Sequence, residues 1–352
     1  MLKTASTAYT KSMKIVFSGG GTAGHVTPNL ALIDQLKNEQ IYYIGTDGME
    51  KTLTAPYLEQ GKIEEYRVIT ADKLQRKLTL RNLALPFKLI KSVRQAKRHL
   101  LDIRPDVIFS KGGYVGLPVI IAGKKLGIPT IIHESDMTLG LSNKICAHFA
   151  SDFLSAFPCD KRAKVVGLIV RDEILHGDKN NGLVTMGFDG SKPILLVTGG
   201  SLGAKALNEA IANCPKIADR FDIFVITGKN KRIDCDFVKQ AEFVTNMNDI
   251  LAATDVCVTR AGSNTLAELT LTEVPFVTVP LTKQSRGEQV KNAQWFTERG
   301  CGLTVSEENL SGLLNAINVA YDNRGAFQAK ERAQRGLYGT GKTVSEILKY
   351  KN

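Results

Sequence analysis

The chain has no run of about 18 uninterrupted apolar residues, the length a helix needs to cross a bilayer, so nothing in it reads as a membrane span. Its six cysteines (Cys146, Cys159, Cys214, Cys235, Cys257 and Cys301) form no CxxC pair and no metal-type spacing. That argues against a disulfide framework and for free thiols in a reducing compartment, the cytosol. An internal repeat of roughly 20 to 50 residues is missing, as is any low-complexity tract, which removes solenoid architectures. The opening MLKTASTAYTKS lacks the apolar core of a signal peptide, and residues 1–12 read as a disordered tail ahead of Met13.

What is present fits an ordinary globular composition. With 352 residues, 43% hydrophobic and 23% charged, the chain exceeds one core's usual reach and suggests two α/β domains. The formal charge of +11 makes polyanions of every kind eligible partners. Ten basic residues against the single acid Asp102 lie between Lys73 and Arg104, so one segment carries nearly the whole excess. That segment holds one aromatic, Phe87, and no nucleic-acid motif, so nucleic acid is not expected as a partner. An apolar series with Leu80, Leu83 and Phe87 runs there among Lys88, Lys91 and Arg94, and Pro86 should start or kink a helix. The segment therefore reads as a peripheral docking patch for an anionic membrane surface, with an ordinary helix packed on a sheet as the alternative.

Short β-branched runs alternate with helical stretches at 14–18, 41–45, 63–69, 106–110, 129–134 and 152–157. The pattern restarts at 193–198, 222–227, 241–245, 255–260, 275–281 and 301–305. Two doubly wound parallel-sheet domains follow, with a hinge at 158–171, a loop-like stretch at 177–192 and a helical tail that could return to the first domain.

Three motifs carry chemistry. KIVFSGGGTAGH at 14–25 is a strand, a glycine turn and a helix start, a natural anion seat that satisfies GxGxxG through Gly19, Gly21 and Gly24. Asp47 follows where a dinucleotide fold keeps its ribose acid, so a nicotinamide dehydrogenase stands as a rival, and a purely structural turn remains possible. His25 ends the motif as a candidate general base or anion ligand. ILLVTGGSLGA at 194–204 repeats the device with Ser201 as an added donor, which favours paired nucleotide folds over a dehydrogenase. In DVCVTRAGSNTLAE at 255–268 a strand ends in a turn containing Ser263 and Asn264, and Glu268 follows on a helix, suited to accept from vicinal hydroxyls. The loop at 280–293, with Gln289, offers amide donors. Asp234 and Asp236 imitate a metal-clamping DxD but stand in a polar segment without a third ligand, so no metal or cofactor is expected.

Taken in order, GGGTAGHVTP (19–28), KGGYVGLPV (111–119), HESD (133–136), GLSNK (140–144), GGSLGA (199–204), TRAGSNTLAEL (259–269) and SRGEQVKNA (285–293) resemble glycosyltransferase family 28 along nearly the whole chain past Met13. The resemblance implies the GT-B fold and an inverting transfer of N-acetylglucosamine from UDP-N-acetylglucosamine to the C4 hydroxyl of the muramoyl sugar of lipid I. The product would be lipid II for peptidoglycan, made at the cytoplasmic face of the membrane by a peripheral enzyme. It implies an acceptor and membrane domain at 13–165, a donor domain at 166–325 and a returning tail at 326–352. Thr22, Ala23, Gly24 and Asn143 would meet the donor sugar, Arg171 and Ser201 the diphosphate, Val244 the uracil and Glu268 the ribose. Gln289 would meet the N-acetylglucosamine hydroxyls, and His25, Glu134 and Asp136 would be the catalytic candidates. The chain departs from the family at Ala23, where TGGH reads TAGH, and at Ser135-Asp136, where HEQN reads HESD. Another UDP-sugar enzyme of the same fold, a glycolipid transferase or a UDP-N-acetylglucosamine 2-epimerase, is the alternative.

Overall fold

The structure is a computed structural model that describes residues 12–72, 85–200, 203–229, 231–282 and 287–351. The expectations for residues 1–11, Leu80, Leu83 and Ser201 fall outside these.

Thirteen strands form among the described residues: β1 Lys14–Ser18, β2 Gln40–Gly45, β3 Glu65–Val68, β4 Val107–Ser110, β5 Thr130–Glu134, β6 Asp152–Ser155, β7 Lys164–Val165, β8 Ile194–Thr198, β9 Asp222–Ile226, β10 Val238–Ala241, β11 Val256–Thr259, β12 Phe276–Thr278 and β13 Gly302–Thr304. They make two sheets, ordered β3-β2-β1-β4-β5-β6-β7 and β10-β9-β8-β11-β12-β13. In each sheet the first strand in sequence lies third in the order, inside the sheet, and pairs in parallel on both sides: β1 with β2 and β4, β8 with β9 and β11. The strand order therefore reverses at β1/β4 and at β8/β11, and open α/β sheets bind ligands at the carboxyl ends of strands at such points.

The apolar runs are continuous because both faces of each sheet are covered. In β8, Ile194 and Leu196 pack into one cluster with Phe224 and Phe296, while Leu195 and Val197 pack into another with Ile223 and Ile317. β1 behaves alike, with Ile15, Val16 and Phe17 all at 0% exposure. Each such side chain contributes about 1.5–3 kcal/mol relative to leaving it in water.

The chain divides into two compact units: Met1–His133, Gly140–Leu154 and Thr343–Asn352 form one, Glu134–Leu139 and Ser155–Lys342 the other. Two local expectations need correction. The stretch 177–192 contains the helix Lys179–Met186, capped by Asp178, whose side chain accepts from Asn181 N, and ended by Gly187 at φ 76°. Its polar composition hid a contact made by small residues: a Cβ at Gly177 or Gly182 would lie 2.0 Å from the backbone oxygen of Asn248 or Asp249 on the helix Met247–Ala253. The strand expected at 241–245 instead ends at Ala241, in register with Ile226 of β9. Phe243 beyond it is exposed rather than part of the core.

The described part of the basic segment contains the helix Leu85–Ile103. Val93, Ala96, Leu100 and Ile103, at helical spacing, are buried, which places Val93 in the core. Phe87 at 76% and Ile90 at 49% exposure stand outside it, with Lys88, Lys91 and Arg94 exposed around them.

Candidate active site

In the first unit the site forms where β1 and β4 end. The chain leaves β1 through Gly19, Gly20 and Gly21 and enters the helix Ala23–Gln35, whose N-cap is Thr22. The Thr22 hydroxyl does not cap the helix but meets His25 Nδ1 at 2.9 Å. When Nδ1 donates in that bond, the ring's lone pair lies on Nε2, the tautomer a general base needs. Three contacts hold the loop beneath His25. Tyr43 Oη donates to Gly19 O at 2.6 Å, and Asn29 Nδ2 donates to Ser18 O at 3.2 Å and to Tyr43 Oη at 3.1 Å. The carboxylate of the fully buried Glu50 accepts from Gly21 N at 3.1 Å.

From β4, Gly113 passes so close to Gly20 that a Cβ on it would lie 2.5 Å from Gly20 O, with φ at +75°. Only glycine fits there without displacing the loop. The Tyr114 ring lies against Gly21, where a Cβ would come within 2.5 Å of it. Asn143 is buried at 4% exposure, gives Nδ2 to His133 O at 3.1 Å and lies under Gly112. The expected dinucleotide acid, Asp47, has a side chain 70% exposed and pairs with Lys51 at 2.6 Å.

In the second unit the site forms where β8 and β11 end. Gly199 and Gly200 follow β8, and Gly200 at φ +74° has nothing among the described residues within 4 Å of a built Cβ. The turn after β11 leads into the helix Ser263–Leu271, with Ser263 buried at its start and Asn264 partly buried beside it. Glu268 lies on this helix, partly buried. Burial pushes its carboxyl up to about 7; the Arg171 charge draws it down and Glu173 raises it further. Arg171 itself donates to Glu173 at 2.6 Å. Arg260, also buried, donates to Val279 O at 2.9 Å and pairs with Glu307. Val244 and Phe243 line a cavity of about 390 Å³ with Phe224, Lys239 and Asn246. Gln289 accepts from Leu281 N at 3.0 Å through Oε1.

Glu134 and Asp136 belong to this second unit. Glu134 Oε1 accepts from the amides of Ser135 at 2.9 Å and Asp136 at 3.1 Å, and so holds its own turn. Asp136 Oδ1 accepts from Asn292 Nδ2 at 3.0 Å, and Asn292 Oδ1 accepts from Met137 N at 3.0 Å. Both carboxylates are engaged by donors, and the His25 ring is held through Nδ1 by Thr22. Glu50 was missed in the sequence, where it reads as an ordinary helix residue until the fold brings it to the glycine loop, and Asn292 was given no role of its own within the 285–293 motif until its contacts with Asp136 and Met137 appear.

Two comparisons of sequence and one of structure bear on this arrangement. Residues 15–155 match the glycosyltransferase family 28 N-terminal domain and residues 194–347 its C-terminal domain. A Lachnoclostridium phytofermentans protein named UDP-N-acetylglucosamine–N-acetylmuramyl-(pentapeptide) pyrophosphoryl-undecaprenol N-acetylglucosamine transferase is 40% identical over 89% of this chain and 92% of its own. The crystal structure of Acinetobacter baumannii MurG superposes with a TM-score of 0.72 at 26% identity, covering 96% of this chain and 100% of that one. A UDP-GlcNAc 2-epimerase from Neisseria meningitidis, bound to UDP-GlcNAc, shares the fold alone: TM-score 0.63 and 12% identity over 97% of this chain and 99% of its own. With both domains matched and a relative this similar along nearly its full length, the chain belongs to glycosyltransferase family 28.

Proposed function

We propose that this chain is an inverting glycosyltransferase that moves N-acetylglucosamine from UDP-N-acetylglucosamine to the C4 hydroxyl of the N-acetylmuramoyl sugar of lipid I, giving lipid II and UDP. The observation that carries the reading is the second unit's constellation: glycines at the end of β8 and, on the helix that follows β11, Glu268 within reach of the Arg171 charge. A diphosphate suits the first and a ribose diol the second. The name of the 40% identical relative supports the acceptor.

In this mechanism the second unit holds the donor. Glu268 accepts from the ribose hydroxyls, the uracil meets the backbone at Val244, and Gln289, with Ser263 and Asn264 nearby, meets sugar hydroxyls and phosphate. As the glycosidic bond breaks, negative charge grows on the leaving diphosphate. Arg171 and the backbone amides after β8 meet that charge, which is where preformed dipoles lower a barrier most. His25, fixed through Nδ1 by Thr22, takes the proton from the acceptor hydroxyl as it attacks the anomeric carbon. The polyprenyl tail of the acceptor stays in the bilayer, so the enzyme works at a membrane surface. The helix Leu85–Ile103 suits this, because Phe87 and Ile90 are exposed among Lys88, Lys91 and Arg94.

The experiment is a product analysis. Labelled UDP-N-acetylglucosamine with a lipid I analogue should give a labelled disaccharide lipid. Conversion of the donor to its 2-epimer without acceptor would replace the transferase reading by the epimerase one.

A further inference from the structure

Three strands of the second sheet, β11, β12 and β13, lie side by side, and the chain leaving each of them is tied to the next. Val279 N donates to Thr259 O at 2.8 Å, and Val305 N donates to Thr278 O at 2.9 Å. Arg260, the first residue past β11, is buried, and its guanidinium joins all three segments. Nη1 donates to Val279 O at 2.9 Å, and Nη2 pairs with Glu307, which follows β13. Val279 thus has its amide held by Thr259 and its carbonyl by Arg260. A buried guanidinium keeps its place only with acceptors and a counter-charge, and Glu307 supplies the charge.

Two residues past Val279, Leu281 N donates to Gln289 Oε1 at 3.0 Å. An amide whose oxygen is taken by a backbone N–H is left with Nε2 as its donor, the end that suits a sugar hydroxyl oxygen. Gln289 lies in the first turn of the helix Glu288–Glu298. Asn292, one turn further along, gives Nδ2 to Ala261 O at 3.2 Å, beside Arg260. The helix that carries Gln289 is therefore tied to the chain after β11 and to the chain after β12, and Arg260 ties those two to each other. Glu307 stands at the outer end of this linkage, partly exposed.

We propose that Glu307 is a positioning residue for recognition of the donor's sugar. By holding Arg260 on Val279 O it sets the backbone from Val279 to Leu281, and that backbone fixes the Gln289 amide. Glu307 thereby adds to affinity for the sugar of the donor and not for its UDP. The uridine is assigned to other segments, Val244 after β10 and Glu268 on the helix after β11. The inference rests on the proposed function, in which Gln289 meets sugar hydroxyls, but its test reads binding and needs no acceptor.

The test compares two ligands on each protein. Calorimetry of the wild type, Glu307→Ala and Glu307→Gln with UDP and with UDP-N-acetylglucosamine separates the uridine contribution from that of the sugar. Glu307→Ala should bind UDP within about twofold of wild type and UDP-N-acetylglucosamine about tenfold more weakly. Glu307→Gln, whose amide oxygen still accepts from Arg260, should recover part of that loss, and it carries the same comparison if the alanine variant melts early. In a Gln289→Ala background, Glu307→Ala should weaken UDP-N-acetylglucosamine no further, since the two changes then remove one interaction. Equal losses for the two ligands, or a loss that adds to that of Gln289→Ala, would make Glu307 a general support of the fold and overturn the proposal. Wild-type affinities in Glu307→Ala would overturn it as well. A wild type that binds neither ligand would sink the donor reading itself and the inference with it, whereas the other failures leave that reading standing.

Discussion

At the scale of single residues, two acids, Glu268 partly buried and Glu331 fully buried, behave differently from ordinary carboxylates, and each gives a test. Glu268 sits near pH 7 because burial outweighs the attraction of Arg171. As a ribose ligand it must be ionised to accept two hydroxyl donors. UDP affinity should therefore be full above about pH 7 and weaken as pH falls below it, by up to tenfold per unit. The Glu268→Ala protein should lose that pH dependence and about 1.5–3 kcal/mol of binding, roughly ten- to a hundredfold. Calorimetry with UDP between pH 5.5 and 8.5 measures both, and equal wild-type and variant affinities would remove Glu268 from the site.

Glu331 shows the opposite linkage to stability. It is fully buried, neither carboxyl oxygen has a hydrogen-bond partner among the described residues, and burial, with the Glu273 charge, pushes it up to about 9. Below the unfolded value both states hold the proton and nothing is lost. As pH rises from about 5 toward 9 the unfolded chain ionises while the folded one does not, so stability falls. Melting curves for Glu331→Gln should show a flatter decline over that window than wild type. Parallel curves would mean that the folded carboxyl ionises normally. Neither this acid nor Glu50 was legible in the sequence, since a Glu within a helix gives no sign of what packs over it.

At the scale of elements, legibility followed burial. β1, β8 and β11 were readable because both faces of each sheet are covered, so their side chains are apolar without a break. The helix Lys179–Met186 was not, because its packing comes from glycines touching backbone rather than from an apolar stripe. Gly182→Ala should consequently destabilise the second unit by on the order of 1–3 kcal/mol through overpacking, read as a lower midpoint in urea. An unchanged midpoint would mean that the two helices part easily. The helix Leu85–Ile103 makes the complementary case. Its spacing was legible, but only the fold separates Val93, in the core, from Phe87 and Ile90, outside it. Phe87→Ser with Ile90→Ser should weaken sedimentation with anionic vesicles at low salt while leaving the melting temperature unchanged. Early melting would assign both side chains to the core.

At the scale of the whole molecule, a glycine turn follows the first strand of each sheet, and in the first unit the Glu50 carboxylate accepts from Gly21 N of that turn. The repeat was plain in the sequence, and so was the family to which the motifs belong. The contact of Glu50 with the first turn was not, because that side chain lies 29 residues away from the loop it binds. The measurement that tests the account most directly is UDP release with and without a lipid I analogue, for the wild type, Glu268→Ala and His25→Ala. The account predicts release by the wild type only when acceptor is present. Donor KM should rise roughly ten- to a hundredfold in Glu268→Ala. In His25→Ala kcat should fall about a hundredfold, with UDP binding intact. Wild-type release that ignores the acceptor, or a His25→Ala protein that turns over normally, would contradict it.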